Sequence, residues 1–253
     1  MSQKIRAKNQ AKNQQLLVIG GVVAIAIVVF GIVLYFAAPK TTRLDYGNYV
    51  ADLDDNGEFI RVEGEPFVIT ERTTDGGFVI GNPDAAITVV AFEDFLCPHC
   101  QDYQPTIKRF IEDYVFTGRA RFEFRMLPIS NSSGLFFSLV ECSAEVSDDP
   151  AAFWYAHDEM FALTTTNGIS LQGSDFARAI GEPYGTLLDC TDTATQYQTD
   201  QALAGQYQQI TGTPAVAWRL NGGNLRLDTI NRRPSYDELA TLVEVFGQVQ
   251  VNQ

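Results

Sequence analysis

An α/β domain interrupted by a block of helices, standing behind one membrane-spanning helix, is the architecture this sequence predicts. Three observations carry it. Residues 16–38 form an uncharged run of 23 residues, long enough as a helix to cross a ~30 Å hydrocarbon core. Residues 86–126 read as strand, loop, helix and strand, the opening of a βαβ unit. Residues 132–210 then show helical spacing with almost no strand signal, and strand patterns return at residue 215.

The N-terminal elements set the compartment. Lys4, Arg6, Lys8 and Lys12 precede the apolar run, whereas Lys40 and Arg43 are soon followed by Asp45, Asp52, Asp54 and Asp55. The positive-inside rule makes residues 1–15 a cytoplasmic basic tail and 16–38 the membrane anchor, with everything after Pro39 extracytoplasmic. A cleaved signal peptide would have a shorter apolar core and a small-x-small cleavage site. Here Tyr35 and Phe36 stand before Ala37 and Ala38, so an uncleaved single-pass anchor is expected. Residues 1–40 hold five basic residues and no acid, so the chain's net charge of -13 leaves -18 for residues 41–253. Phosphate binding draws on clustered Lys and Arg, which excludes nucleic acid as a partner. With 45% hydrophobic and 19% charged residues the chain is too apolar to be disordered.

Residues 39–80 read as an extracytoplasmic linker with a hairpin or two, from alternating runs at 58–62 and 66–70. Asp52, Asp54, Asn56, Gly57 and Glu63 fit the calcium-loop pattern D-x-[DN]-x-[DN]-G-x5-E. Gly64-Glu65-Pro66 stops the helix such a loop needs, so a tight Asp-Asn-Gly turn is expected instead. The main domain is placed at residues 81–250. Ala86–Phe92 is β-branched and nearly continuously apolar, a strand covered on both faces. After Cys97-Pro98-His99-Cys100, apolar residues from Tyr103 to Tyr114 repeat at helical spacing; Gly118 closes that helix and Arg121–Met126 alternates as a strand. In the helical block, Leu135–Val146 is amphipathic, and Asp149-Pro150 opens a helix as N-cap and first helical residue. Helices follow from Ser174, over Gly185–Thr199 and over Gln201–Gln208. Strands at Ala215–Leu220 and Leu225–Asp228 flank an Asn-Gly-Gly-Asn turn, and Ser235-x-x-Glu238 is a capping box opening the last helix.

Four cysteines in an exported chain invite pairing. A C-x-x-C at a strand-to-helix junction sets the first sulfur at a helix N-terminus, where unpaired N–H groups favour an anion. Cys97 is therefore the expected thiolate and Cys100, a turn further in, the shielded thiol that resolves a mixed disulfide. His99 adds a hydrogen bond or charge near Cys97, and Pro98 fixes the first turn and removes a competing amide. Stabilising the reduced thiolate makes the disulfide the stronger oxidant, so donation of a disulfide to substrate thiols is the expected direction. A buried structural disulfide and half of a zinc site are the competing readings. His99 and His157 are the only histidines and no second C-x-x-C exists, which argues against zinc.

Phe92–Cys100 resembles the active-site segment of DsbA-type thiol oxidases of the thioredoxin superfamily, which carry the same Cys-Pro-His-Cys tetrapeptide. Gly212-Thr213-Pro214 is similar to their cis-proline loop, and Phe153–Phe161 to a helix of the domain inserted between two halves of their fold. The likeness covers roughly residues 80–250 and is closest to membrane-anchored members. It implies a thioredoxin-like fold with a helical insertion at about 132–210. It also implies that Cys97 is the attacking cysteine and Cys100 the resolving one, with Pro214 in cis. Thr213 would then pair with an extended substrate. One departure stands out: where such oxidases often carry a buried carboxylate, six residues before the first Cys, this chain has Ala91. Glu93 lies on the same strand face and is a candidate proton acceptor for Cys100, a solvated strand end being the alternative.

The remaining cysteines, Cys142 and Cys190, are most simply joined to each other, as a staple worth roughly 4 kcal/mol in the loop-entropy picture, with a second redox pair as the alternative. His157 is expected to be a packed core histidine, and Trp154, Phe161, Phe136 and Phe137 core aromatics more than a peptide groove. Asn131-Ser132-Ser133 is a glycosylation sequon. The expected activity is thiol:disulfide oxidoreduction by Cys97 and Cys100 on exported proteins with free thiols. A quinone-linked membrane reoxidant of DsbB or VKOR type completes the cycle, and no metal or organic cofactor is required. A reductase or isomerase, and a membrane-tethered holdase without turnover, are the alternatives.

Overall fold

The structure, a computed structural model, describes residues 43–227 and 233–247. The anchor expected at 16–38 and the tail before it lie outside these residues. Among the described residues no helix is long and apolar enough to cross a membrane.

Among the described residues, five strands form one sheet in the order β1-β2-β4-β3-β5. They are β1 (Ile69–Arg72), β2 (Phe78–Gly81), β3 (Ile87–Glu93), β4 (Arg121–Met126) and β5 (Ala215–Leu220). The central β3 is buried at every residue, as its run of Ile, Val, Ala and Phe requires of a strand covered on both faces. It pairs in parallel with β4 and antiparallel with β5. Residues 69–81 are more than a linker, because β2 pairs with β4 and so adds the β1–β2 hairpin to the main sheet. Of the expected strand at Leu225–Asp228, residue 228 lies outside the described residues, and the described residues 225–227 hold one bridge, between Arg226 and Trp218. The turn before it is nonetheless a tight Asn-Gly turn, with positive φ at Asn221 (50°) and Gly222 (66°).

Period-two alternation divides β3 between two cores. Ile87, Val89 and Ala91 face the larger cluster, which also holds Cys97 and Cys100; Val90 and Phe92 face a smaller one with Ala204, Ala215 and Leu225. After β3 come α1 (Pro98–Gln101) and α2 (Gln104–Phe110), continued by a π turn at Ile111–Val115. Gly118, at φ 74°, turns the chain from there into β4.

Between β4 and β5 stand α3 (Ser133–Val146), α4 (Ala152–Asn167), α5 (Gly173–Ile180), α6 (Tyr184–Cys190) and α7 (Gln196–Ala204). The expected helix over 185–199 is broken at 191–195, and α7 runs through the break expected near residue 200. The expected N-cap Asp149 instead accepts the Ala151 amide at 2.8 Å, and α4 begins just after that turn. The last helix, α8 (Tyr236–Phe246), opens with the Ser235–Glu238 capping box. Beneath β4, Arg125 is fully buried and its guanidinium meets Glu123 (2.6 Å), Asp200 (2.9 Å) and Asp75 (2.7 Å). One side chain thereby ties the hairpin and α7 to the sheet.

The chain enters the domain through a short strap. Leu44 and Tyr46 are buried, and the Tyr46 ring packs against Trp154, Tyr155 and Phe116. The Gly47 amide donates to the Tyr155 hydroxyl at 2.6 Å and Arg43 pairs with Glu159. The acidic stretch from Asp52 is a hairpin turn. Asp54 Oδ1 accepts the amides of Asn56 (2.8 Å) and Glu58 (3.0 Å), and Gly57 takes φ 80°. These amides hold the Asp54 carboxyl below its ordinary range. That is the turn the sequence favours over a calcium loop.

Candidate active site

The site grows from the end of β3. The chain leaves the sheet after Glu93, and Asp94 shapes the loop: Oδ1 accepts the Leu96 amide at 2.8 Å and Oδ2 the Ile129 amide at 2.7 Å. Its carbonyl accepts the Cys97 amide at 3.0 Å. Asp94 is thus a brace binding the active loop to the segment after β4, a role its position in the sequence does not announce. The Phe95 carbonyl is held twice, by Gln101 Nε2 and by Thr164 Oγ1 of α4, both at 2.8 Å.

Cys97 is the N-cap of α1, in extended conformation, with Pro98 at the start of the helix. Its carbonyl accepts the amides of Cys100 and Gln101, both at 3.0 Å. Both cysteines are free thiols; Cys97 is 4% exposed and Cys100 sealed, while Pro98 and His99 are exposed. The thiol of Cys97 donates to the Thr213 carbonyl at 3.4 Å. Antiparallel pairing explains that meeting, because Phe92 pairs with Ala215, so residues following β3 lie beside those preceding β5. The Thr213–Pro214 bond is cis, as the resemblance implies.

Glu93 is wholly buried, not a solvated strand end. Burial pushes its carboxyl up to about 8, opposed by the hydrogen bond from Gln104. Burial, and then the charge of Glu93, push the Cys100 thiol far above its ordinary range. The charge of Glu93 is thus felt at Cys100. Gln104, whose Nε2 donates to Glu93 Oε2 at 3.1 Å, carries no sign of this contact in the sequence beyond its place four residues after Cys100.

The other candidates lie elsewhere. Cys142 and Cys190 are joined by a disulfide of 2.03 Å between α3 and the end of α6. His157 is buried in α4 among Phe95, Phe124 and Phe161, with ring centroids 5.8, 4.5 and 5.0 Å away, and its Nδ1 meets Asp158 at 3.2 Å. Burial lowers its pKa. Phe136, Phe137, Trp154 and Phe161 are all core residues.

A family model described as thioredoxin matches residues 73–244. The chain belongs to the thioredoxin family. Within it, this thioredoxin-family chain is 28% identical over 164 residues to a probable disulfide bond formation protein D of Bacillus cereus, covering 60% of this chain and 74% of that one. It is 27% identical over 150 residues to the Na(+)/H(+) antiporter NhaA 3 of Salinispora tropica, covering 55% of this chain and only 21% of the antiporter. The fold matches alpha-DsbA1 of Wolbachia pipientis with a TM-score of 0.61 at 14% identity, over 71% of this chain and 95% of that one.

Proposed function

We propose that this chain is a DsbA-like thiol:disulfide oxidoreductase, anchored by residues 16–38, whose Cys97–Cys100 disulfide is donated to exported proteins outside the cytoplasm. The observation that carries the reading is the Cys97 sulfur 3.4 Å from the Thr213 carbonyl, with Cys100 sealed beneath it. Cys97 keeps a small exposure that Cys100 lacks.

In the reaction a substrate thiolate attacks Cys97 Sγ of the oxidised pair. The Cys97–Cys100 bond breaks, Cys100 leaves with the electron pair, and Glu93, largely protonated at neutral pH, supplies its proton. A second substrate thiolate then attacks the substrate sulfur of the mixed disulfide and expels Cys97 as a thiolate. The substrate has lost two electrons and the Cys97/Cys100 pair has gained them. The backbone at Thr213, before cis-Pro214, offers an extended client strand pairing beside the sulfur. A quinone-linked membrane partner takes the two electrons and restores the disulfide. Similarity to a disulfide bond formation protein D supports the same reading.

Trapping tests it. In Cys100→Ser protein, Cys97 should accumulate mixed disulfides with clients, and Cys97→Ser should abolish them. Client binding unchanged in both variants would favour a holdase. A Cys97/Cys100 potential near thioredoxin's, about -270 mV, would replace the oxidase with a reductase.

A further inference from the structure

We propose that Gln104 is a positioning residue for the proton exchanged at Cys100, holding Glu93 by one carboxyl oxygen so that the other is left to carry that proton. The inference rests on the oxidoreductase reading above and deepens it. Three facts of geometry support it. Glu93 is wholly buried and Gln104 is 6% exposed. Gln104 Nε2 donates to Glu93 Oε2 at 3.1 Å, while Glu93 Oε1 and Gln104 Oε1 have no hydrogen-bond partner. Burying a carboxylate with one oxygen unpaired is costly, and a carboxyl proton on Glu93 removes the charge while Gln104 Oε1 stays unpaired. Finally, Ala91 on the same strand face carries no polar side-chain atom, so that position supplies no second carboxyl.

The surroundings isolate the pair. Cys100 and Tyr103 feel the charge of Glu93, and Cys97 acts on Cys100. From the side of α8, Glu238 and Arg233 act on Tyr103. Met126 pairs with Glu93 from β4 and is apolar. The Asp94 carboxyl, pushed up by burial, is held by Ser133 and by the amides of Ile129 and Leu96, and Arg125 pairs with Phe92, on the opposite face of the sheet. Gln104 is thus the group that hydrogen-bonds the carboxyl directly. Its N–H favours the carboxylate, so it limits how tightly Glu93 holds the proton. During disulfide donation the Glu93 carboxylic acid gives its proton to the departing Cys100 thiolate, leaving a carboxylate and a thiol; when the disulfide re-forms, the Cys100 thiol returns it. No electrons move in either transfer.

The test uses the full chain and two readouts, the pH profile of disulfide donation to a thiol peptide and the carboxyl 13C titration of Glu93. Gln104→Met should move both inflections up by about half to one pH unit, and Glu93→Gln should remove both. Should Gln104→Met fail to fold, Gln104→Glu carries the same test, since two carboxyls sharing one proton also raise the inflection. An unmoved Glu93 titration in a folded Gln104 variant overturns the proposal, as does an unchanged rate profile in Glu93→Gln. The titration needs no turnover, so its outcome is separate from that of the Cys100→Ser trap, whose failure would sink the oxidoreductase reading instead.

Discussion

Glu93 links the chemistry of the site to the stability of the fold. In the unfolded chain a glutamate titrates near ~4.3, whereas burial raises this one to about 8. The folded state therefore binds more protons between those values, and the stabilisation from the neutral carboxyl is full below ~4.3 and lost as pH rises through 8. The pKa difference corresponds to about 5 kcal/mol over that window. Urea unfolding at pH 5 and pH 8.5 should show the parent losing stability with pH and Glu93→Gln losing far less. His157 acts from the acid side: buried and with its pKa lowered, it resists protonation, so its contribution falls away as pH drops below ~6.5. His157→Leu should flatten that acid limb without affecting mixed-disulfide trapping.

The elements separate what holds the fold from what reacts. The Cys142–Cys190 bridge closes a loop with sequence separation 48, and its loss through Cys142→Ser with Cys190→Ser should cost about 2–4 kcal/mol in urea unfolding while leaving trapping at Cys97 intact. Removing the α8 cap by Ser235→Ala should cost about 1 kcal/mol in the same measurement. Both features were legible in the sequence, as were β3, β4, β5 and the Cys97–Cys100 turn, because each rests on a local pattern such as alternation, a capping box or a fixed spacing. The rest depends on partners distant in sequence. The β1–β2 hairpin looks like a linker because its strands are four residues each, and only pairing with β4 makes them part of the sheet. Arg125 is one charged position of an alternating strand, yet Asp75 of the hairpin and Asp200 of α7 join Glu123 of its own strand in closing over it. Asp94 and Gln104 are polar residues whose work appears only when Ile129 and Glu93 are brought to them.

At the scale of the whole molecule, the -18 carried by residues 41–253 forms a field around a nearly buried sulfur. A field of that sign slows acidic clients and speeds basic ones, and salt screens both effects. Disulfide donation to an acidic thiol peptide should therefore quicken between 50 and 500 mM salt, and donation to a basic peptide should slow. Stopped-flow rates with the two peptides would reveal the opposite slopes; parallel slopes would show that surface charge plays no part in client choice. The strap formed by Leu44 and Tyr46 bears on a different property, mechanical load. Tension applied at Arg43 must first break its pair with Glu159 and then shear Leu44 and Tyr46 out of their socket against Trp154 and Phe116. Like the strain relief on a cable, those few side chains stand between a pull at Arg43 and the sheet that leads to Cys97.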